Sequence, residues 1–206
     1  MKLHGIPRSG HTHRVQLFLS LLGIPHEFVT VDLAGGANRT PAFLAMSPFG
    51  EIPVLEDGDV VLADSTAILV YLAAKYDDGR WLPRDPLAMA HVQRWLSTAS
   101  GKIAYGPAAA RLVTVFGAQI DHERVQAIAV RLFDTMENEL AGRRYLVGDA
   151  PTLADVAAYS YIAHAPEGGV SLKPYPRIRA WLDEVRALPG FIPMPATVAG
   201  VAPETY

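Results

Sequence analysis

The chain has 206 residues, 50% of them apolar, with 18 basic and 21 acidic side chains, a net charge of −3 and no cysteine. That length holds one large domain or two small ones, and the apolar fraction excludes a disordered chain. The lack of a basic excess argues against a nucleic-acid partner. With no cysteine there is no disulfide, thiolate metal ligand or cysteine nucleophile, so any thiol chemistry needs a thiol that arrives with a ligand.

Lys2 to Ile6 reads as a short strand. From Arg14 to Leu22, Val15, Phe18, Leu19 and Leu22 take the spacing of a helix face, and Gly23 and Pro25 stop it. Glu27 to Leu33 is β-branched and aromatic, a second strand. A polar stretch around Asn38 and Arg39 leads to a short helix at Pro41 to Ala45. Pro53 precedes a strand-like run that turns at Asp57-Gly58 into Val60 to Leu62, and a helix follows from Ser65 to about Tyr76. A proline there belongs at a strand start or tight turn, and suits a cis peptide bond that leaves the Ile52 backbone free to pair with an extended peptide. The start of the Ser65 helix offers free amides and partial positive charge to a carboxylate.

These elements make a β-α-β-α-β-β-α unit: an α/β fold with a mixed four-stranded sheet and helical cover. Residues 78–86 are polar and turn-rich and read as a linker between a domain at 1–77 and a second at 87–206. The second reads as all-α. Its helices are expected over Leu87 to about Ala104, Glu123 to Ala141, Val156 to Ala163 behind a capping-box pattern at Thr152 to Asp155, and Tyr175 to Leu188. Met1 to Pro7 lack a signal-peptide apolar core and no apolar run nears membrane-spanning length, so a soluble cytoplasmic protein without membrane contact is expected.

The loop Pro7-Arg8-Ser9-Gly10-His11-Thr12-His13-Arg14 gathers hydroxyls, imidazoles and guanidiniums at the first helix's N-terminus. Such a place stabilises an anion, including a ligand thiolate whose pKa a serine hydroxyl would lower. Ser9 and Thr12 are also good N-caps, as is Ser65, and Glu51, Asp57 and Asp64 read equally as solvated turn acids. His11-x-His13 lacks companions for a metal site, and no metal is expected.

Ser9-x-x-x-x-Arg14-Val15, Pro48-Phe49-Gly50-Glu51-Ile52-Pro53, Asp64-Ser65-x-Ala67-Ile68 and Thr152-Leu153-Ala154-Asp155 occur in an order that resembles the cytosolic glutathione S-transferase family. The match is nearest the serine-type phi, theta and delta classes, as a bacterial member. The resemblance implies a thioredoxin-like N-terminal domain and glutathione as co-substrate. In its terms Ser9 (alternatively Thr12) hydrogen-bonds the thiolate, and Ile52, presented by a cis-Pro53, pairs with the cysteinyl unit. Asp64 and Ser65 hold the γ-glutamyl end, and Asn38 and Arg39 hold the glycyl carboxylate. Glu51 stands where glutamine is usual, and either weakens glutathione binding or pairs with Arg39. An electrophile pocket is implied beside Ser9, with His11, Tyr105, Ala108, Arg111 and Leu112 as candidates and Tyr105 as a possible acid. Conjugation to an apolar electrophile or peroxide reduction is the implied activity, and a homodimer through the Ser65 and Leu87 helices the implied assembly. A non-catalytic binding module and a glutathione-dependent isomerase or dehalogenase are the alternatives.

Overall fold

The computed structural model describes residues 1–198. The described chain divides into two compact units, Met1–Leu82 with Pro189–Pro195, and Pro83–Leu188 with Ala196–Val198. The division lies inside the stretch read as a linker. The return of Pro189–Pro195 to the first unit has no counterpart in the domain expectation of 87–206.

In the first unit, β1 (Lys2–Gly5), α1 (Gly10–Leu21), β2 (Glu27–Thr30), a 3-10 turn (Ala37–Arg39), α2 (Pro41–Met46), β3 (Val54–Asp57), β4 (Val60–Ala63) and α3 (Ser65–Tyr76) follow in order. The sheet is four-stranded in the order β2-β1-β3-β4. β1 runs parallel to β2 and antiparallel to β3, which is antiparallel to β4. Leu3, Val54 and Leu55 on the sheet and Val15, Phe18, Leu19, Ile68, Leu69 and Leu72 on α1 and α3 form its buried core.

Helix α1 begins at Gly10, a full turn before the Arg14 expected from periodicity, with Ser9 as N-cap. That first turn carries no apolar stripe, yet Thr12, His13 and Arg14 are buried. Strand β2 ends before Leu33 because Asp32 turns the chain, its carboxylate accepting from Gly35 N at 2.8 Å. The start of the presumed linker is ordered: the Asp77 carboxylate accepts from Gly79 N and Trp81 N, and Trp81 packs edge-on against Phe18.

The second unit is helical. Its first run comprises α4 (Pro86–Thr98), a π-helical stretch (Ala99–Ala108) and α5 (Ala109–Phe116), then α6 (His122–Glu139), α7 (Leu153–Ala163), a 3-10 turn (Ala165–Gly168) and α8 (Pro176–Arg186). The first run continues past Ala104 to Phe116 and ends on Gly117 at φ 69°. Pro107 lies inside it, where a regular α-helix would lose a donor and clash with the preceding turn, and the chain widens to π geometry there. Helix α7 is buried along nearly its whole length. Its capping box forms as expected, and the Asp155 carboxylate also takes Leu146 N at 2.9 Å and Trp181 Nε1 at 2.8 Å.

Candidate active site

Strand register gathers the candidate residues of the first unit. His4 stands opposite Val54, and Val54 opposite Ala63, so the end of β1, the start of β3 and the end of β4 share one edge of the sheet. Gly5 pairs with Thr30, which adds the end of β2 to that edge. The Ser9 loop, Ile52-Pro53, Asp64-Ser65 and the Asn38-Arg39 turn all leave the sheet there.

Ser9 is half-buried, and its Oγ accepts from Thr12 N at 3.3 Å. A hydroxyl that accepts through its oxygen keeps its own hydrogen to donate elsewhere. Thr12 is fully buried, its side chain pressed against Gly5, and its Oγ1 has no hydrogen-bond partner among the described residues.

The Ile52-Pro53 peptide bond is cis. The β3 ladder begins only at Val54, so the Ile52 amide and carbonyl precede it, while the Ile52 side chain packs on the cluster of Val31, Phe43 and Val54. Upstream, Ser47 Oγ donates to Glu51 O at 2.9 Å and accepts from Glu51 N at 3.1 Å, which fixes the backbone next to Ile52. Asn38 Nδ2 donates to Gly50 O at 2.7 Å and Arg39 Nη1 to Phe49 O at 3.4 Å, which ties the 3-10 turn to the same segment. Gly50 has φ 66°, and a Cβ there would meet Arg39 Nη1 and Asn38 O at 2.9 Å. Arg39 and Glu51 form no ion pair among the described residues, contrary to one of the two outcomes expected for Glu51.

Asp64 is the one non-glycine residue with positive φ among the described residues, at 72°. Its Oδ1 accepts from Thr66 N, Ala67 N and Thr66 Oγ1 at 2.6 to 2.9 Å, capping α3. Partial burial pushes its carboxyl up, but these hydrogen bonds and the charge of Arg14 outweigh it and hold Asp64 below the usual carboxylate range. The amides expected to be open to a ligand at Thr66 and Ala67 are therefore taken by Asp64. What remains is Ser65, buried, with Oγ accepting from Arg14 Nη1 at 3.2 Å. Burial first, and the Arg14 charge second, lower the pKa of His11 to about 3. His11 is thus neutral at physiological pH, with Nδ1 3.4 Å from Ser65 Oγ. It was expected on the electrophile side, yet its ring faces the Asp64-Ser65 end.

His13 Nε2 lies 2.9 Å from Ile192 O, so the two imidazoles of His11-x-His13 have separate partners. Among the described residues no cluster of three His, Cys, Asp or Glu could hold a metal. Arg14 is the residue that sequence reasoning quoted but gave no role. Its signal was the Ser9-to-Arg14 spacing, which places a buried guanidinium under Ser65.

In the helical unit, Tyr105 lies in the π stretch and is 68% exposed, and Leu112 on α5 is 42% exposed. Ala108 and Arg111 are interior. Arg111 Nε donates to Glu167 Oε2 at 2.6 Å, so its charge is committed within the unit.

Two family models match the chain: "Glutathione S-transferase, N-terminal domain" over residues 3–81 and "Glutathione S-transferase, C-terminal domain" over 102–189. Glutathione S-transferase 3 of Zea mays is 36% identical over 95% of this chain and 96% of its own length. A crystal structure of a glutathione S-transferase from Pseudomonas fluorescens superposes with a TM-score of 0.89 at 36% identity, covering 94% of this chain and 98% of that one. A glutathione transferase homologue of Drosophila mojavensis, crystallised with bound glutathione, superposes with a TM-score of 0.83 at 28% identity, covering 91% and 88%.

Proposed function

The chain belongs to the glutathione S-transferase family, and we propose that its first unit binds glutathione across the sheet edge and holds the sulfur as thiolate beside Ser9. One observation carries this reading: the strand register that brings Ser9, Ile52-Pro53 and Asp64-Ser65 to a single edge. The cysteinyl unit pairs with the Ile52 backbone as an added strand does. Ser65 accepts from Arg14 and so turns its own hydrogen toward the γ-glutamyl carboxylate, with the Arg14 charge beneath it. Asp64 Oδ1 carries the three cap hydrogen bonds, and its second oxygen takes the α-ammonium.

Ser9 receives its hydrogen bond from Thr12 N and gives one to the sulfur. Bonding to the charged form lowers the thiol pKa toward neutrality, and the thiolate attacks an apolar electrophile. No metal is required for that activation. Tyr105 and Leu112 are the exposed apolar groups assigned to the electrophile. Ala108 and Arg111 support the helix that carries them. The protein acts in the cytoplasm as a homodimer, an assembly that rests on the family resemblance and on exposed Tyr76, Leu87 and Met89 on α3 and α4. Elution as a monomer in gel filtration refutes the dimer.

The test is the thiolate absorbance of bound glutathione titrated against pH, with and without Ser9. A bound-thiol pKa near neutrality that rises in Ser9→Ala supports the reading. Bound glutathione with an unshifted thiol overturns the activation step.

A further inference from the structure

Ser47 closes α2, its backbone N–H donating to Phe43 O at 2.9 Å, and it is 1% exposed. Its hydroxyl serves a single residue, accepting from Glu51 N and donating to Glu51 O. The backbone on either side is also engaged. Gly50 N donates to Ser47 O at 2.8 Å, Gly50 O accepts from Asn38 Nδ2, and Pro53 has no N–H to give. From Gly50 to Pro53 the remaining backbone amide is that of Ile52, which has no hydrogen-bond partner among the described residues.

Glu51 O and Ile52 N belong to one peptide plane, and that peptide is trans. A trans peptide holds its C=O and its N–H on opposite sides of the chain, so fixing one fixes the other. The Ser47 hydroxyl, bound to Glu51 O at 2.9 Å, therefore aims the Ile52 N–H away from the end of α2. With no acceptor for it among the described residues, that N–H is left to a peptide carbonyl brought by a ligand. Without the hydroxyl both backbone groups of Glu51 are released, and the plane is free to rotate about the bonds that flank it.

We infer that Ser47 is a positioning residue of the glutathione site: from beneath the surface it aims the Ile52 N–H at the cysteinyl carbonyl and so seats the sulfur beside Ser9. This rests on the binding reading given above.

Amide hydrogen exchange and calorimetric titration of the full chain with glutathione test this, with thermal melts to confirm that each variant is folded. In wild type, saturating glutathione should slow exchange at Ile52. Ser47→Ala should bind glutathione about three- to tenfold more weakly, the worth of one hydrogen bond, and protect the Ile52 amide less at saturation. The thiol pKa of bound glutathione should rise as well, a readout that a loss of stability alone does not move. Ser47→Thr keeps the hydroxyl and should stay within twofold of wild type. Ser47→Cys is a weaker donor that should fall between the two, and it decides the matter if Ser47→Ala does not fold. Unchanged affinity or unchanged Ile52 protection in Ser47→Ala overturns the inference and leaves the glutathione site standing. A Ser47→Thr as impaired as Ser47→Ala does the same. Glutathione that fails to bind wild type, or binds without protecting Ile52, overturns the binding reading as well.

Discussion

Two hydroxyls compete for the thiolate at the start of α1, and burial separates them. Ser9 is half-buried and caps the helix, whereas Thr12 is enclosed beside Gly5 with no partner for its oxygen among the described residues. Ser9→Ala should lower turnover by about one to three orders of magnitude while glutathione affinity changes little, because the lost bond is made to the charged sulfur. Thr12→Val is nearly the same shape and removes a buried hydroxyl that is already unsatisfied. It should leave turnover unchanged and hold or raise the melting temperature. Steady-state kinetics and thermal melts on the two variants check this, and a collapse of turnover in Thr12→Val alone would mean that the wrong hydroxyl has been assigned. Much of this site was legible, since Ser9, Pro53, Asp64 and Ser65 sit in motifs with a mechanical meaning. Arg14 was harder, because a guanidinium on a polar helix turn reads as solvated until Ser65 is seen above it. The fate of the Thr66 and Ala67 amides was not legible at all: a helix N-terminus advertises donors, and only coordinates show that Asp64 has used them.

Elements were recovered from periodicity wherever apolar side chains made the helix face, and were misjudged where polar groups or distant partners did. For that reason periodicity began α1 at Arg14, although the N-cap reading of Ser9 starts it at Gly10. The N-terminus of α8, expected at Tyr175, is found at Pro176, where the Glu137 carboxylate of α6 caps it through Arg177 N and Ile178 N, some forty residues away in sequence. The widest miss was α5, which lies beyond Gly106 and Pro107, past the expected end of the Leu87 helix at about Ala104. Gly106 eases a close approach, since a Cβ would stand 3.1 Å from Ala129 N of α6 and the neighbour would have to give by a few tenths of an ångström. Helix α5 is held by Glu167 of the 3-10 turn, which receives Arg111 Nε, His164 Nδ1 and both the amide and hydroxyl of Thr197. Burial pushes the Glu167 carboxyl up, but His164, Thr197 and Arg111 prevail and bring its pKa from 4.5 to about 2. A carboxyl depressed in the folded state stabilises above its unfolded pKa and loses that contribution as pH falls through its folded value. Urea unfolding of the wild type should therefore weaken between pH 4.5 and pH 2, and Glu167→Gln should flatten part of that dependence. At neutral pH the same variant leaves Arg111 buried without its counter-charge, at a cost of about 3 to 5 kcal/mol. An unchanged acid limb in Glu167→Gln would count against the assignment.

At the scale of the molecule, the chain's last stretch closes a loop that no local pattern announces. After α8, Pro189–Pro195 joins the first unit, far in sequence from the strands and helices it packs with. Ser20 Oγ donates to Gly190 O at 2.7 Å, His13 Nε2 meets Ile192 O at 2.9 Å, and Met194 is buried. His13 is one residue from Arg14, so this strap braces the turn of α1 that carries both Ser9 and the guanidinium beneath Ser65. Gly190 is where the strap is most vulnerable. It has φ 86°, and a Cβ there would lie 2.8 Å from Ser20 O. Gly190→Ala thus combines an unfavourable backbone conformation with a clash against fixed backbone, and the strap must lift or α1 must yield. Hydrogen exchange should then quicken at the α1 amides, and glutathione affinity should fall several-fold, while α6 and α7 amides exchange as before. Thr197→Ala removes only the hydroxyl contact to Glu167, so its effect should appear around α5 and the 3-10 turn with α1 protection unchanged. If Gly190→Ala leaves α1 protection and glutathione affinity at wild-type values, the strap is an ornament of the fold, and the order of the Ser9 loop comes from β1 and α3 alone.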